Sequence, residues 1–164
     1  MSKSRTRGYV AISGPGAGAE YADIADAREI AQQLAAAGVT ILCGGLAGVM
    51  AGAAEGAAAG GGVSIGLLPD ADRSRAHPDL TFTIPTGMGE LRNGLLVRAA
   101  DVVVVVGGSW GTLSELALAV RTEVPVVTLR TWNVDPVGAP GVVSNTGEAV
   151  ARVLNLLPSG SGVS

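Results

Sequence analysis

Five consecutive valines, Val102 to Val106, constrain this chain more than any other feature. A strand with one wet face alternates apolar and polar residues. This run leaves no face for water, so it belongs in a sheet covered on both sides. Residues 8–13, 39–43 and 63–68 are further apolar runs, with a short strand near 81–84 and a last one at Val126 to Leu129. Helical patterns stand between them. Residues 20–37 repeat Ile24, Ala27, Ile30, Ala31 and Leu34 at helical spacing and close on Gly38. A small-residue helix is expected over 47–59, packing closely on the sheet, and further helices over 89–100, 112–121 and 146–157. Doubly covered strands separated by helices give an α/β fold, a three-layer α/β/α Rossmann-like domain with a mainly parallel sheet. Ligands in such sheets sit beyond the C-terminal strand ends. The loops after the first, second and Val102 strands are therefore the ones to inspect.

Length and charge narrow the function classes. At 164 residues the chain suits one domain, read as 8–158 between loose ends at 1–7 and 159–164. Mean hydropathy of +0.42 raises the question of a membrane, but no apolar run approaches the roughly 20 residues that a spanning helix needs. A net charge of −3 argues against nucleic acid as a partner. One cysteine and one histidine rule out an intramolecular disulfide and a Cys/His zinc site, and no metal site is expected. The basic N-terminus is not followed by an apolar core of signal-peptide type, so the cytoplasm is the expected location. Cys43 reads as a small core residue, His77 as a loop residue and Asp101 as a cap at the start of its strand.

Two strand-to-helix loops share the form G-G-x-x-G: Gly44, Gly45 and Gly48 after the second strand, and Gly107, Gly108 and Gly111 after the Val102 strand. Glycines there let backbone approach a ligand, and the next helix offers unpaired N–H groups to a phosphate. Tight turning alone would explain one such loop; two on neighbouring units point to an anionic ligand. The loop from Ser13 and Gly14 is a third candidate. Neither the dinucleotide fingerprint nor a phosphate-binding G-x-x-x-x-G-K-[ST] loop is present. Ser109, Trp110 and Thr112 surround the second pair, and Trp110 suits stacking on a flat heterocycle or on a neighbour. Glu115 has two compatible readings. It completes a capping box with Thr112, or it stands as an ionised carboxylate beside a ligand, its pKa depressed by the helix start. Arg92, flanked by Leu91 and Leu95, needs an anion, either Glu90 or Glu115 or a ligand phosphate. Asn93 adds a neutral donor and acceptor. Trp132 and residues 133–135 wall either the cleft or an interface.

Four ordered motifs carry a resemblance: GGLAGVM at 44–50, GLLP at 66–69, LRNGLLVRAADVVVVVGG at 91–108 and GTLSE at 111–115. Together they resemble a Rossmann-like superfamily. It holds the "Lonely Guy" (LOG) cytokinin-activating enzymes, once labelled lysine decarboxylases, and the molybdenum-cofactor carrier proteins. The resemblance spans nearly the whole chain. Against the LOG pattern P-G-G-x-G-T-x-x-E this sequence has Val106 for Pro and one extra residue between the glycines. It also has Asn93 where that family places Lys after its Arg. The resemblance implies that Arg92 and Glu115 are the catalytic pair if the protein hydrolyses, and that the chain stands closer to the carrier branch.

Three functions follow as expectations. The preferred one is binding of a phosphorylated heterocycle, nucleotide- or pterin-like, with the molybdenum cofactor as candidate ligand and no cofactor required for chemistry. The second is a phosphoribohydrolase that releases base and ribose 5-phosphate from a nucleoside 5′-monophosphate, and not a lysine decarboxylase. The third is a ligand sensor without turnover. In the 112–121 helix, Leu113, Leu116, Ala117 and Val120 read as one apolar face, with Leu118 and Ala119 opposite. A helix apolar nearly all round is covered twice, so a homodimer or homotetramer is expected.

Overall fold

The computed structural model describes residues 6–132 and 141–159. The expected loose ends fall largely outside these, at 1–5 and 160–164, as do Asn133, Val134 and Asp135. Seven strands form one parallel sheet: β1 (Tyr9–Ser13), β2 (Thr40–Cys43), β3 (Ser64–Leu68), β4 (Phe82–Pro85), β5 (Val102–Val106), β6 (Val126–Leu129) and β7 (Gly141–Val143). Their spatial order is β4-β3-β2-β1-β5-β6-β7. The chain winds outward from β1 in one direction and, from β5, in the other. The order therefore reverses between β1 and β5, where a crevice opens beyond the strand ends. The fold is the α/β Rossmann-like one that the alternation predicts.

Alternate valines of β5 feed two different cores. Val102, Val104 and Val106 pack with α1 (Tyr21–Ala36), α2 (Val49–Ala59) and α5 (Thr146–Leu156). Val103 and Val105 pack with α3 (Arg92–Ala99) and α4 (Trp110–Arg121). All five are buried, and each fully buried valine contributes on the order of 1.5–3 kcal/mol relative to an exposed one. A 3-10 turn over Gly89–Leu91 leads into α3. Among the described residues, no helix is long and apolar enough to cross a membrane. Cys43 is fully buried, which pushes its thiol up to about 11. The Asp101 carboxylate accepts a hydrogen bond from the Tyr9 amide at 2.8 Å, tying the starts of β5 and β1.

Four sequence expectations need correction. Val126 to Leu129 is not the last strand: β7 follows, three residues long and lacking the apolar length that announces a strand. The α4 helix starts at Trp110, two residues early. Its buried line is Thr112, Glu115, Leu116 and Ala119, whereas Ala117 and Leu118 face outward, so its two faces are rotated from the expected ones. The small residues of α2 serve α1 as much as the sheet. A Cβ built on Gly52, Gly56 or Gly60 would fall 2.5, 2.1 or 2.4 Å from the carbonyl oxygens of Ile24, Arg28 and Gln32. Glycines four apart thus form a stripe on which α1 lies backbone to backbone.

Candidate functional site

The crevice between β1 and β5 is a cleft of about 390 Å3, within the range usual for small-molecule sites. Its floor is the end of β1, Ile12 to Gly14, and one wall is the start of α4 from Ser109 through Glu115. Arg92 and Asn93, the first residues of α3, face it from the side with Gly44, Leu46 and Met50. Of the residues singled out from sequence, the cleft gathers Ser13, Gly14, Gly44, Arg92, Asn93, Ser109, Trp110, Gly111, Thr112 and Glu115. Gly45, Gly48, Gly107 and Gly108 are not in its lining. They shape the turns behind it.

Arg92 carries the most unusual environment. It is 8% exposed, its Nη1 donates to Asn93 Oδ1 at 2.6 Å, and its Nη2 reaches Gly44 O at 3.5 Å. Its Nε is buried with no hydrogen-bond partner among the described residues. Neither Glu90 nor Glu115 pairs with it within salt-bridge distance among these residues. Burial lowers the guanidinium pKa, and the field of Glu115 opposes that. A charge so placed costs several kcal/mol of desolvation that only a paired anion offsets. Gly44 makes the placement sterically feasible, since a Cβ there would lie 2.7 Å from Arg92 Nη2 and 2.5 Å from Met50 Sδ.

Glu115 is 6% exposed and accepts a hydrogen bond from Ser13 Oγ, across the β1–β5 seam. It does not form the expected capping box with Thr112. Ser109 is the N-cap: its Oγ accepts from the Thr112 amide at 3.2 Å and lies 2.7 Å from Thr112 Oγ1. That shift places Glu115 beyond the first turn of α4, where the helix dipole has faded. Burial then dominates and raises its pKa, with the Ser13 hydrogen bond and the Arg92 charge opposing. The expected depression is overturned.

The two helix starts differ as well. The Val49 amide of α2 donates to Pro15 O at 2.9 Å, so backbone from the β1–α1 loop sits on that helix end. The first turn of α4 instead lines the cleft, and its leading amides have no partner within the helix.

Residues 7–154 match the SLOG cluster4 family. The chain belongs to this family. A molybdenum cofactor binding protein from Rippkaea orientalis is similar at 29% identity and a TM-score of 0.86, over 93% of this chain and 98% of that one. The molybdenum cofactor carrier protein of Chlamydomonas reinhardtii is similar at 33% identity and a TM-score of 0.83, over 91% and 98%. A protein of Archaeoglobus fulgidus is 34% identical over 104 residues, 63% of this chain and 68% of that one. These likenesses agree with the carrier-side resemblance of the motifs.

Sequence reasoning missed part of this SLOG cluster4 cleft. Gly16, Leu46, Met50, Pro69, Glu90 and Ser114 also line it. Met50 lies inside the GGLAGVM motif and Pro69 ends GLLP, so the motif boundaries held that signal. Trp132, expected to wall either the cleft or an interface, reaches the cleft's rim by donating its Nε1–H to Ser109 O at 3.3 Å. No periodicity or spacing announces such a contact across 23 residues of chain.

Proposed function

We propose that the cleft binds a phosphorylated heterocycle of the molybdenum-cofactor type and holds it without cutting it. The observation that carries this reading is the buried, carboxylate-free Arg92 with its unpartnered Nε, opposite the open start of α4. A guanidinium and a helix N-terminus converging on one space suit a phosphate, which takes charge-assisted hydrogen bonds from both. The named ligands of the Rippkaea and Chlamydomonas relatives support the choice of ring.

The residues present fit that group. Arg92 and the α4 amides would take the phosphate, Asn93 the polar edge of a pterin, and Trp110 its flat face. These residues would hold the ligand by its phosphate and its ring. The bound group would supply the redox-active molybdenum; the chain's part is to hold and shield it. Glu115 lines the cleft but its carboxylate already takes a hydrogen bond from Ser13, whereas a carboxylate that stabilises an oxocarbenium-like state must turn to the sugar.

Native mass spectrometry of the purified protein, with and without added molybdenum cofactor or pterin phosphate, tests the reading. Retention of either ligand, and no ribose 5-phosphate from a panel of nucleoside monophosphates, is the expected result. Ribose 5-phosphate release that disappears in Glu115→Ala would replace it with the phosphoribohydrolase reading. The same spectrum reports subunit count. Leu91 at the end of the 3-10 turn, Leu95 on α3 and Leu118 on α4 are exposed, which supports the expected homodimer or homotetramer; a monomer at micromolar concentration would reject it.

A further inference from the structure

Both tryptophans of the chain meet at the rim of the cleft. Trp110 and Trp132 have ring centroids 5.4 Å apart at an interplanar angle of 35°. Trp110 is 78% exposed and Trp132 41%, an expensive display of aromatic surface in a chain with three other aromatic residues. Trp110 lines the cleft.

Trp132 is held from behind. Arg130 directs Nε and Nη2 to Asp23 Oδ1 at 3.2 and 2.8 Å, and Nη1 to Asp26 Oδ2 at 2.5 Å. Both acids stand on the first turns of α1. Arg130 itself has φ of +52°, a left-handed conformation that costs a non-glycine residue energy and persists only where its surroundings enforce it. Two carboxylates gripping the guanidinium fork enforce it. The second glycine pair completes the fitting. A Cβ on Gly107, at φ +70°, would lie 2.3 Å from Asp23 Oδ2, and one on Gly108 would lie 3.0 Å from Trp132 Nε1. Gly107 makes room for the latch, Gly108 for the indole.

We propose that Trp132, presented by the Arg130–Asp23–Asp26 latch, forms with Trp110 the surface that selects ligands carrying a flat conjugated ring. Arg130 is a positioning residue. It acts through the turn it fixes and touches no ligand. The inference rests on the proposed function for the existence of the site and adds the element that reads the ring, separate from the Arg92 side that reads the phosphate.

Two probes separate the parts: a pterin monophosphate, and ribose 5-phosphate as the phosphate without the ring. Because both tryptophans sit here, intrinsic fluorescence reports ring binding directly, and calorimetry reports both ligands. In Trp132→Ala, affinity for the pterin phosphate is expected to fall roughly tenfold, the scale of losing one stacked ring, with ribose 5-phosphate changed less than about twofold. Trp132→Phe should restore most of the loss. Arg130→Ala should copy Trp132→Ala and blue-shift or red-shift the emission, with Arg130→Lys intermediate because it keeps the charge but not the fork. Equal losses for both probes in Trp132→Ala, or no loss for either, would overturn the inference while leaving the site standing. A wild-type chain that binds neither probe would overturn the proposed function and this inference with it. Circular dichroism of each variant confirms that the fold is retained; should Arg130→Ala unfold, the Trp132 pair decides alone.

Discussion

The two G-G-x-x-G loops look alike in sequence and do different work. After β2, Gly44 clears space for Arg92, and Gly48, at φ +67°, presses on the β1–α1 loop so closely that a Cβ would lie 2.2 Å from Gly16 O. The α2 start has no side-chain cap, and its Val49 amide is taken by Pro15 O. After β5, Ser109 caps α4 with its hydroxyl, and a Cβ on Gly111 would meet nothing nearer than Ser109 Oγ at 3.9 Å. Both loops reach the cleft, Gly44 and Leu46 from the first and Ser109 to Gly111 from the second, but the helix start is closed by packing in the first and opens onto the cleft in the second. What a glycine does is decided by the atoms facing its missing side chain, and those come from other parts of the chain.

The sharpest way to break this contrast is a pair of alanines. Gly48→Ala combines a backbone clash with a left-handed φ and is expected to cost about 3 kcal/mol or more of stability. Gly111→Ala should stay within about 0.5 kcal/mol, because it meets open space in a helix. Equal costs in urea titrations would show the two loops to be equivalent after all. Next in size is Arg92→Met. Losing one charge-assisted partner should weaken binding of a phosphorylated ligand by about 2 kcal/mol, near thirtyfold, while the melting temperature holds or rises because a buried unpaired charge is gone. A fall in melting temperature would mean that Arg92 is structural.

Ser109→Ala should cost about 1 kcal/mol, the usual value of an N-cap hydroxyl. No equivalent cap exists on α2 to remove. The smallest effect concerns Glu115. Its folded pKa is raised above the ordinary carboxylate value of about 4.5, so its favourable contribution is complete below about pH 4.5 and is lost as pH rises through the folded value. Glu115→Gln should therefore melt higher than wild type at pH 7 and level with it near pH 4. A gain that grows toward acid would contradict the assigned cause.

The doubly covered parallel sheet was legible because Val102 to Val106 and its counterparts admit no wet face, whereas the spatial order of the strands is set by contacts far apart in the chain. Arg92 stood out because a guanidinium among leucines has few outlets, and Ser13 because it ends the first strand. Other parts were not legible. The capping residue was misjudged by three positions because Ser109 and Thr112 both suit an N-cap, and only the backbone says which residue is extended. That slip also reversed the expected titration of Glu115. The latch escaped notice since Asp23, Gly107 and Arg130 are separated by dozens of residues, and each reads alone as an ordinary helix acid, turn glycine or strand-end base.

The contact between α1 and α2 has a consequence of its own. Most helix pairs meet through interdigitated side chains, and a change on one can be absorbed by a new rotamer on the other. Where Gly52, Gly56 and Gly60 meet the carbonyls of Ile24, Arg28 and Gln32, there is no rotamer to adjust. Any added methyl must be met by moving a whole helix. Sequence drift at these three positions is therefore nearly forbidden, and on α1 the residues that face the stripe must stay small as well, since Ala31 and Ala35 place their Cβ atoms 2.9 and 3.0 Å from where a methyl on Gly56 or Gly60 would sit.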